Sequence, residues 1–387
     1  MKIKDIQVIP LGYKKDYPPI QRYFGLIKVT TDSGLVGYGE ASTSYGNFYP
    51  DIMSSVVDGA LKRILIGKDP LDIKQRLNEM KLYLYPWLGW ECVTSAVIGG
   101  IEIALWDILG KDADKPIAEL LGSKLKKIPL YGTGSTFPEK DAKWHAEFFQ
   151  KAIDLGFVGV KTRIASGIKK DIKQIETVRK YIGDDVKLLV DAYWSYSEAS
   201  AIKITKQMEQ FDVYLFEEAI PQYQLKSLAR LTEQSPVPIA VGERVFTLFG
   251  FDLVVDYKAA NILQPDATIT CGISECLQVN ALAKANNLKV LPHIGGLTAV
   301  GIAANLHVAA VIGSEMLEYD FSPFQPLRDT LIKNPLFSLE NLDDGCIKVP
   351  DAPGLGIEVD EEKFEKFPFK KGKIYPDIYP QLGSGNL

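Results

Sequence analysis

The sequence predicts a (β/α)8-type barrel, an α/β fold, preceded by an N-terminal α+β capping domain that the C-terminal tail completes. Short apolar strands close one after another on an acidic residue or a histidine, about once every 25 residues. They are Asp191 after KLLV, Glu217 after VYLF, Glu243 after IAVG, Asp266 after ILQP, His293 after KVLP and Glu318 after EML. Each interval holds one amphipathic helical stretch, the pattern of a repeated strand-helix unit. Residues 1–125 do not share the repeat, and the period breaks again after residue 330.

In chain order, IKDIQVIPL and YFGLIKVTTDSGLVGYGEA read as strands with a turn at Asp32-Ser33-Gly34, and helical patterns follow near 50–66 and 92–110. These form the capping domain, residues 1–125. The barrel, residues 126–330, opens with IPLYGTG near residue 128. Its second strand, FVGVKTR, places Lys161 and Arg163 on one face by period-two alternation. KKDIKQIETVRKYI spaces Ile172, Ile175, Val178 and Ile182 along one helix face, and Ser197 is a candidate cap for SEASAIKITKQMEQF. Strand ends near 132, 161, 191, 217, 243, 266, 293 and 318 count eight, and eight parallel strands with alternating helices close most naturally into a barrel. An open doubly wound sheet would gather its ligand groups at a switch point, and no glycine-rich dinucleotide fingerprint follows an early strand. Residues 331–387, which include DGCIKVPDAPGLGIEVD, are expected to run extended back over the cap.

With 387 residues, 46% hydrophobic and 24% charged, the chain can bury a large core in two domains. A net charge of −5 without a basic run argues against nucleic acid as a partner. Lys4 and Asp5 interrupt any signal-like apolar core, and no apolar run approaches the roughly 18 residues of a membrane span. The expectation is a cytoplasmic protein with no membrane partner, assembled as a homo-oligomer of unspecified size. Four scattered cysteines, Cys92, Cys271, Cys276 and Cys346, fit reduced thiols better than a disulfide framework, and CGISEC lacks the spacing of a zinc pair.

Parallel strands bring their carboxyl ends to one rim, so five carboxylates and an imidazole converge there and would repel unless neutralised. Asp191, Glu217 and Glu243 are hard oxygen donors on successive strands, a ligand set suited to Mg²⁺. Glu218 competes with Glu217, but Glu217 shares the parity of Leu215, which leaves Glu218 a salt-bridge role behind it. His145 and His307 lie in helical patterns and read as packed imidazoles. His293 instead follows a strand and precedes Ile294-Gly295-Gly296, where Asp266 could bond its ring and fix its tautomer. Lys161 could neutralise a substrate carboxylate or, with a depressed pKa, act as a base. Arg163 stays charged at neutral pH and can only stabilise charge. Glu318 would, if protonated, hydrogen-bond a developing oxyanion, or else form an ion pair with Lys161.

These residues carry a resemblance. AVIGGIEIALWDILGK at 96–111, then VKTR at 160, VDAY at 190, FEEA at 216, VGER at 241, QPDA at 264, LPH at 291, LEYD at 317 and the tail VPDAPGLGIEVD are similar to the motifs of the enolase superfamily, in its mandelate racemase and muconate lactonizing enzyme branch. The resemblance spans nearly the whole chain. It implies Mg²⁺ on Asp191, Glu217 and Glu243, the His293/Asp266 pair as general acid/base on one face, Lys161 on the substrate carboxylate, and Glu318 supporting the other side of an enolate. One departure matters: the racemase pattern Lys-x-Lys has Arg163 in its second place.

A racemase needs a proton acceptor on each face, whereas a dehydratase can use one imidazole that removes the α-proton and then protonates the departing β-hydroxyl. A single base therefore favours elimination, and the expected function is an acid-sugar (aldonate) dehydratase, a lyase. Arg22, Tyr23, Tyr45, Asn47 and Trp90 of the cap, with Tyr193, Arg244 and Tyr319 at the rim, are candidates to bind substrate hydroxyls. The alternatives are a racemase, epimerase or cycloisomerase of the same branch, and a non-catalytic binding protein on the same scaffold.

Overall fold

The computed structural model describes residues 1–14, 21–43, 50–135, 140–322 and 324–370. Its first unit is an antiparallel sheet in the order β1 (Ile3–Lys14), β2 (Gln21–Thr31) and β3 (Val36–Ala41). The predicted turn between β2 and β3 is present, with Gly34 N bonded to Thr31 O at 3.2 Å. Helices pack on one face of this sheet, and Ile6, Ile27, Leu77, Met80, Ile101 and Leu105 meet in a shared core. One of these helices, Ile73–Leu88, was not among the expectations. The helix Val93–Asp112 is long and apolar enough to cross a membrane by length and composition, contrary to the sequence reading. Of its 18-residue apolar window 83% is buried, and it carries the buried acids Glu102 and Asp107, so here it is the core helix of the cap.

Eight parallel strands follow in the expected places: β4 (Lys127–Ser135), β5 (Gly159–Arg163), β6 (Lys187–Asp191), β7 (Val213–Glu217), β8 (Ile239–Val241), β9 (Ile262–Leu263), β10 (Lys289–Val290) and β11 (Leu317–Asp320). Each pairs in parallel with the next from β4 to β10, and β11 returns to β4 with Glu318 opposite Tyr131. That last pairing curls the sheet into a barrel. The seam lies between the two-residue β10 and β11, where no ladder is formed among the described residues.

Side-chain alternation sorts the barrel into an inside and an outside. Tyr131, Leu189, Leu215, Ala240, Ile262, Leu291 and Met316 fill the interior. Leu188, Val190 and Phe216 face the helices, where Ile175 and Val178 of the helix Ile168–Ile182 pack against the same layer. Burying each such aliphatic side chain contributes about 1.5–3 kcal/mol, upper estimates that assume an extended unfolded chain. The predicted cap Ser197 accepts a bond from Ser200 N and opens the helix Glu198–Met208. Asp191 and Glu217 continue the inward parity of Leu189 and Leu215, which sends their carboxylates into the mouth.

After β11 come the short helix Pro326–Asp329 and the 3-10 helices Leu339–Asn341 and Glu361–Lys366, and β12 (Cys346–Lys348) runs antiparallel to β4. The tail then reaches the cap: Ile117 N bonds Gly354 O at 3.0 Å, and Gly12 N bonds Phe367 O at 2.9 Å. Asp107 ties three pieces together, accepting from Tyr38 N, Leu355 N and Lys111 Nζ. All four cysteines are free, and burial raises the Cys271 thiol to about 12.

Candidate active site

The strand ends deliver a set of charges that water cannot reach. Lys161, Asp191, Glu217, Glu243, Asp266, His293 and Glu318 are all 3% exposed or less, so each charge needs a partner within the protein. Lys161 Nζ lies 2.9 Å from both oxygens of Glu217 and 2.8 Å from Glu318 Oε1. Burial works against its charge, but the two carboxylates outweigh burial and hold the ammonium well above its ordinary range. It cannot shed a proton in that position. Arg163 donates Nε and Nη2 to Asp191 Oδ2 at 3.0 and 2.6 Å.

His293 follows β10 by three residues. Its Nδ1 lies 3.1 Å from Asp266 Oδ2 and its Nε2 lies 2.8 Å from Glu243 Oε2, with Glu318 Oε2 at 3.9 Å. Burial disfavours the imidazolium, but the Glu243 charge and the Asp266 bond outweigh it and push the pKa well up. Asp266 is itself fixed, because Oδ1 accepts from Thr268 N, Thr268 Oγ1 and Asn305 Nδ2. Asp266 Oδ2 accepts from Nδ1–H, which makes Nε2 the atom that can exchange a proton. A methyl group on Gly295 would lie 2.5 Å from His293 Cε1, so the ring lies directly against the backbone that follows it.

Carboxylates outnumber cations here. Six carboxyl groups, of Asp191, Glu217, Glu218, Glu243, Asp266 and Glu318, face the side chains of Lys161, Arg163, Arg244 and His293. Arg244 pairs with both Glu218 and Glu243 and stacks between the rings of Tyr193 and Trp194 at 4.3 and 4.4 Å. Burial raises Glu217 to about 7 despite Lys161, with Asp191 and Glu318 adding to the rise. Glu218 Oε1 and Gln264 Oε1 are buried with no hydrogen-bond partner among the described residues. A surplus of carboxyl groups, hard oxygen donors and unpartnered buried oxygens all suit a divalent cation such as Mg²⁺.

Among the described residues, the cluster of potential ligands differs from the expected one. Donor atoms of Glu217, Glu243 and His293 lie within 4.8 Å of one another, and Asp191 is not in that group. Each acid has taken the nearest cation of the chain: Arg163 at Asp191, Lys161 at Glu217, Arg244 and His293 at Glu243. Asp191 nevertheless stands directly across from Glu217 in the β6–β7 register.

The cap residues divide. Arg22 is buried, its Nη1 3.4 Å from Gly296 O and its Nη2 3.9 Å from Asp320 Oδ2, beside a cleft lined by Arg163, His293, Gly296, Glu318 and Asp320. Tyr193 lies half-buried under Arg163 and Arg244. Tyr45 and Asn47 lie outside the described residues. Tyr23 bonds Lys370 O, and Tyr319 bonds Phe337 O at 2.7 Å, so both are packing residues and not part of the rim. Trp90 packs edge-on against Phe249. Gln264, which donates to Glu217 Oε2 at 2.9 Å, was overlooked. Its signal was available, since it lies in QPDA between β9 and Asp266.

A buried acid/base cluster at the mouth of a (β/α)8-type barrel, roofed by an α+β cap, defines an enzyme. Residues 20–122 match the mandelate racemase/muconate lactonizing enzyme N-terminal domain, and residues 144–363 match the enolase C-terminal domain-like family. The chain belongs to the mandelate racemase/muconate lactonizing enzyme branch of the enolase superfamily. It is 34% identical to arabinonate dehydratase of Saccharolobus solfataricus over 347 residues, 89% of this chain and 90% of that protein. It is 30% identical to D-galactarolactone cycloisomerase of Agrobacterium fabrum, covering 88% of this chain and 90% of that one. The crystal structure of 3,6-anhydro-D-galactonate cycloisomerase from Zobellia galactanivorans superposes with a TM-score of 0.85 at 30% identity, covering 96% of this chain and all of that one.

Proposed function

We propose that the protein is a Mg²⁺-dependent acid-sugar dehydratase that converts an aldonate into a 2-keto-3-deoxy acid. The observation that carries this reading is the asymmetry of proton carriers. Lys161 is clamped between Glu217 and Glu318 and Arg163 holds its charge on Asp191, whereas the His293 imidazole, braced by Asp266, would be free to take and return a proton at Nε2 once Glu243, 2.8 Å from that atom, is drawn to a cation. The similarity to arabinonate dehydratase supports the same reading.

Asp191, Glu217 and Glu243 would hold Mg²⁺, which when bound neutralises negative charge on the substrate carboxylate and its enediolate. The residues of the chain do the rest. His293 Nε2 removes the proton α to the carboxylate, while Lys161 and Arg163 stabilise the charge that develops, with Glu318 on the other side. The electron pair then expels the β-hydroxyl, His293 returns its proton to that oxygen, and water leaves. The resulting enol ketonises to the 2-keto acid. Residues 1–125 with the 331–387 segment would select the sugar over the barrel of residues 126–330, through Arg22, Tyr193 and Tyr45.

A panel of aldonates and aldarates incubated with enzyme and Mg²⁺, assayed for a 2-keto acid, tests this. Release of a 2-keto-3-deoxy acid from an aldonate is the expected result. Isomerised or lactone-opened product with no 2-keto acid would replace it with the cycloisomerase reading, which the similarity to two cycloisomerases favours.

A further inference from the structure

Two groups at the end of β3, in the cap, hold the supports of Asp266. The Glu40 carboxylate is fully buried and accepts from Thr298 Oγ1 at 2.6 Å, Thr298 N at 3.1 Å and Gly301 N at 2.9 Å, closing the first turn of the barrel helix Ala299–Ile312. One turn on, Asn305 Nδ2 donates to Gly301 O at 3.2 Å and to Asp266 Oδ1 at 2.9 Å. Asn305 Oδ1 accepts from Ala267 N at 2.9 Å. Two residues beyond Glu40, Ser42 N donates to Thr268 O at 3.0 Å, and Thr268 donates its own N and Oγ1 to Asp266 Oδ1. The three donors on Oδ1 leave Oδ2 for the imidazole.

A carboxylate is an expensive way to fill an interface. Burial raises Glu40 to about 7, against the bonds from Thr298 and Gly301. An apolar side chain could pack there, but it could not fix the helix along its axis and so could not set the height of Asn305. Glu102 supplies the contrast. It is another buried cap glutamate, bonded to Ile273 N at 2.8 Å and Ser274 N at 2.9 Å at the start of the helix Ile273–Ala285. It bonds Ile273, Ser274 and Trp106, none of which hydrogen-bonds the Asp266 carboxylate among the described residues.

We infer that Glu40 is a positioning residue: by fixing the helix that carries Asn305, it sets how Asp266 presents Oδ2 and thereby the tautomer and orientation of the His293 ring. Seating of the cap is then felt at the proton-transferring group. Only the kinetic part of this inference rests on the proposed function.

The test compares full-length, Mg²⁺-loaded wild type with Glu40→Gln, Gly301→Ala and the control Glu102→Gln. Gly301→Ala would place a methyl group 2.7 Å from Glu40 Oε2 and should act like Glu40→Gln. The first readout is the ¹⁵N–¹H imidazole spectrum, tractable in a chain with three histidines. The hydrogen-bonded Nδ1–H signal of His293 should shift or vanish in Glu40→Gln and Gly301→Ala and persist in Glu102→Gln. The second is steady-state kinetics, in which kcat should fall about tenfold in the first two variants with KM little changed. An unchanged His293 signal in Glu40→Gln, an equal change in Glu102→Gln, or a changed signal with wild-type kcat overturns the inference. If wild type turns over no acid sugar, the proposed function has failed separately, and the spectrum alone decides the role of Glu40.

Discussion

Gly295 and His293 touch: a methyl group at position 295 would fall 2.5 Å from the imidazole Cε1 and 2.9 Å from Nε2. The ring is seated against the backbone on one side and held by Asp266 on the other, so its freedom to turn is small.

Gly295→Ala should therefore displace the ring without unfolding the protein. A misplacement of the order of 1 Å costs about 100-fold in turnover. Steady-state kinetics beside a thermal melt checks this. A variant of wild-type kcat would show that the ring has room that the geometry denies it.

His293→Ala should abolish product formation and solvent exchange of the α-proton while Mg²⁺ affinity, read by titration calorimetry, stays within about tenfold. Asp191→Asn should weaken Mg²⁺ binding by more than that, because it removes a ligand charge. The reverse ranking would mean that the Glu217, Glu243 and His293 cluster is the metal site.

Lys161→Met leaves Glu217 and Glu318 buried without their shared cation. Breaking a buried pair from one side costs about 3–5 kcal/mol. Urea unfolding of the metal-free protein should show a loss of that order, with part of it recovered when Mg²⁺ is added.

His307 gives a pH-dependent stability. Burial lowers its pKa to about 4, and its neutral ring accepts from Ala118 N at 3.2 Å and donates to Leu355 O at 3.1 Å. In the unfolded chain the imidazole titrates near 6.5, so as the pH falls below that value the unfolded state binds a proton that the native state refuses. Stability from this group is complete above pH 6.5 and is lost down to about pH 4, at about 1.4 kcal/mol per unit. Urea midpoints of wild type and His307→Gln, compared across that window, should diverge in proportion. Parallel curves would contradict the assignment.

The strand-end pattern was legible because inward parity survives in the sequence: Leu189 leads to Asp191 and Leu215 leads to Glu217. It held even for Asp266 and His293, which follow strands of two residues, because the repeat length and not the strand itself marks them. The pair Asp266–His293 could be read from adjacency of strand ends. The helix Ile73–Leu88 was harder, although Ile73, Leu77, Met80 and Leu84 carry its spacing, because Pro86 in its last turn signals a break. Glu40 and Asn305 were not legible at all. Glu40 and Thr298 are separated by 258 residues, and no periodicity links a cap strand to a barrel helix at that distance.

The two ends of the polypeptide finish one structure between them. Lys28 meets Glu361 across 333 residues, and Leu11 bridges Pro368. Closing a loop of that length costs about 5 kcal/mol of chain entropy, repaid only when the last stretch arrives. During synthesis the edge of β1 at Leu11 therefore stays uncovered until the stretch around Pro368 has been made. Until that stretch arrives, the cap over the barrel mouth is unfinished.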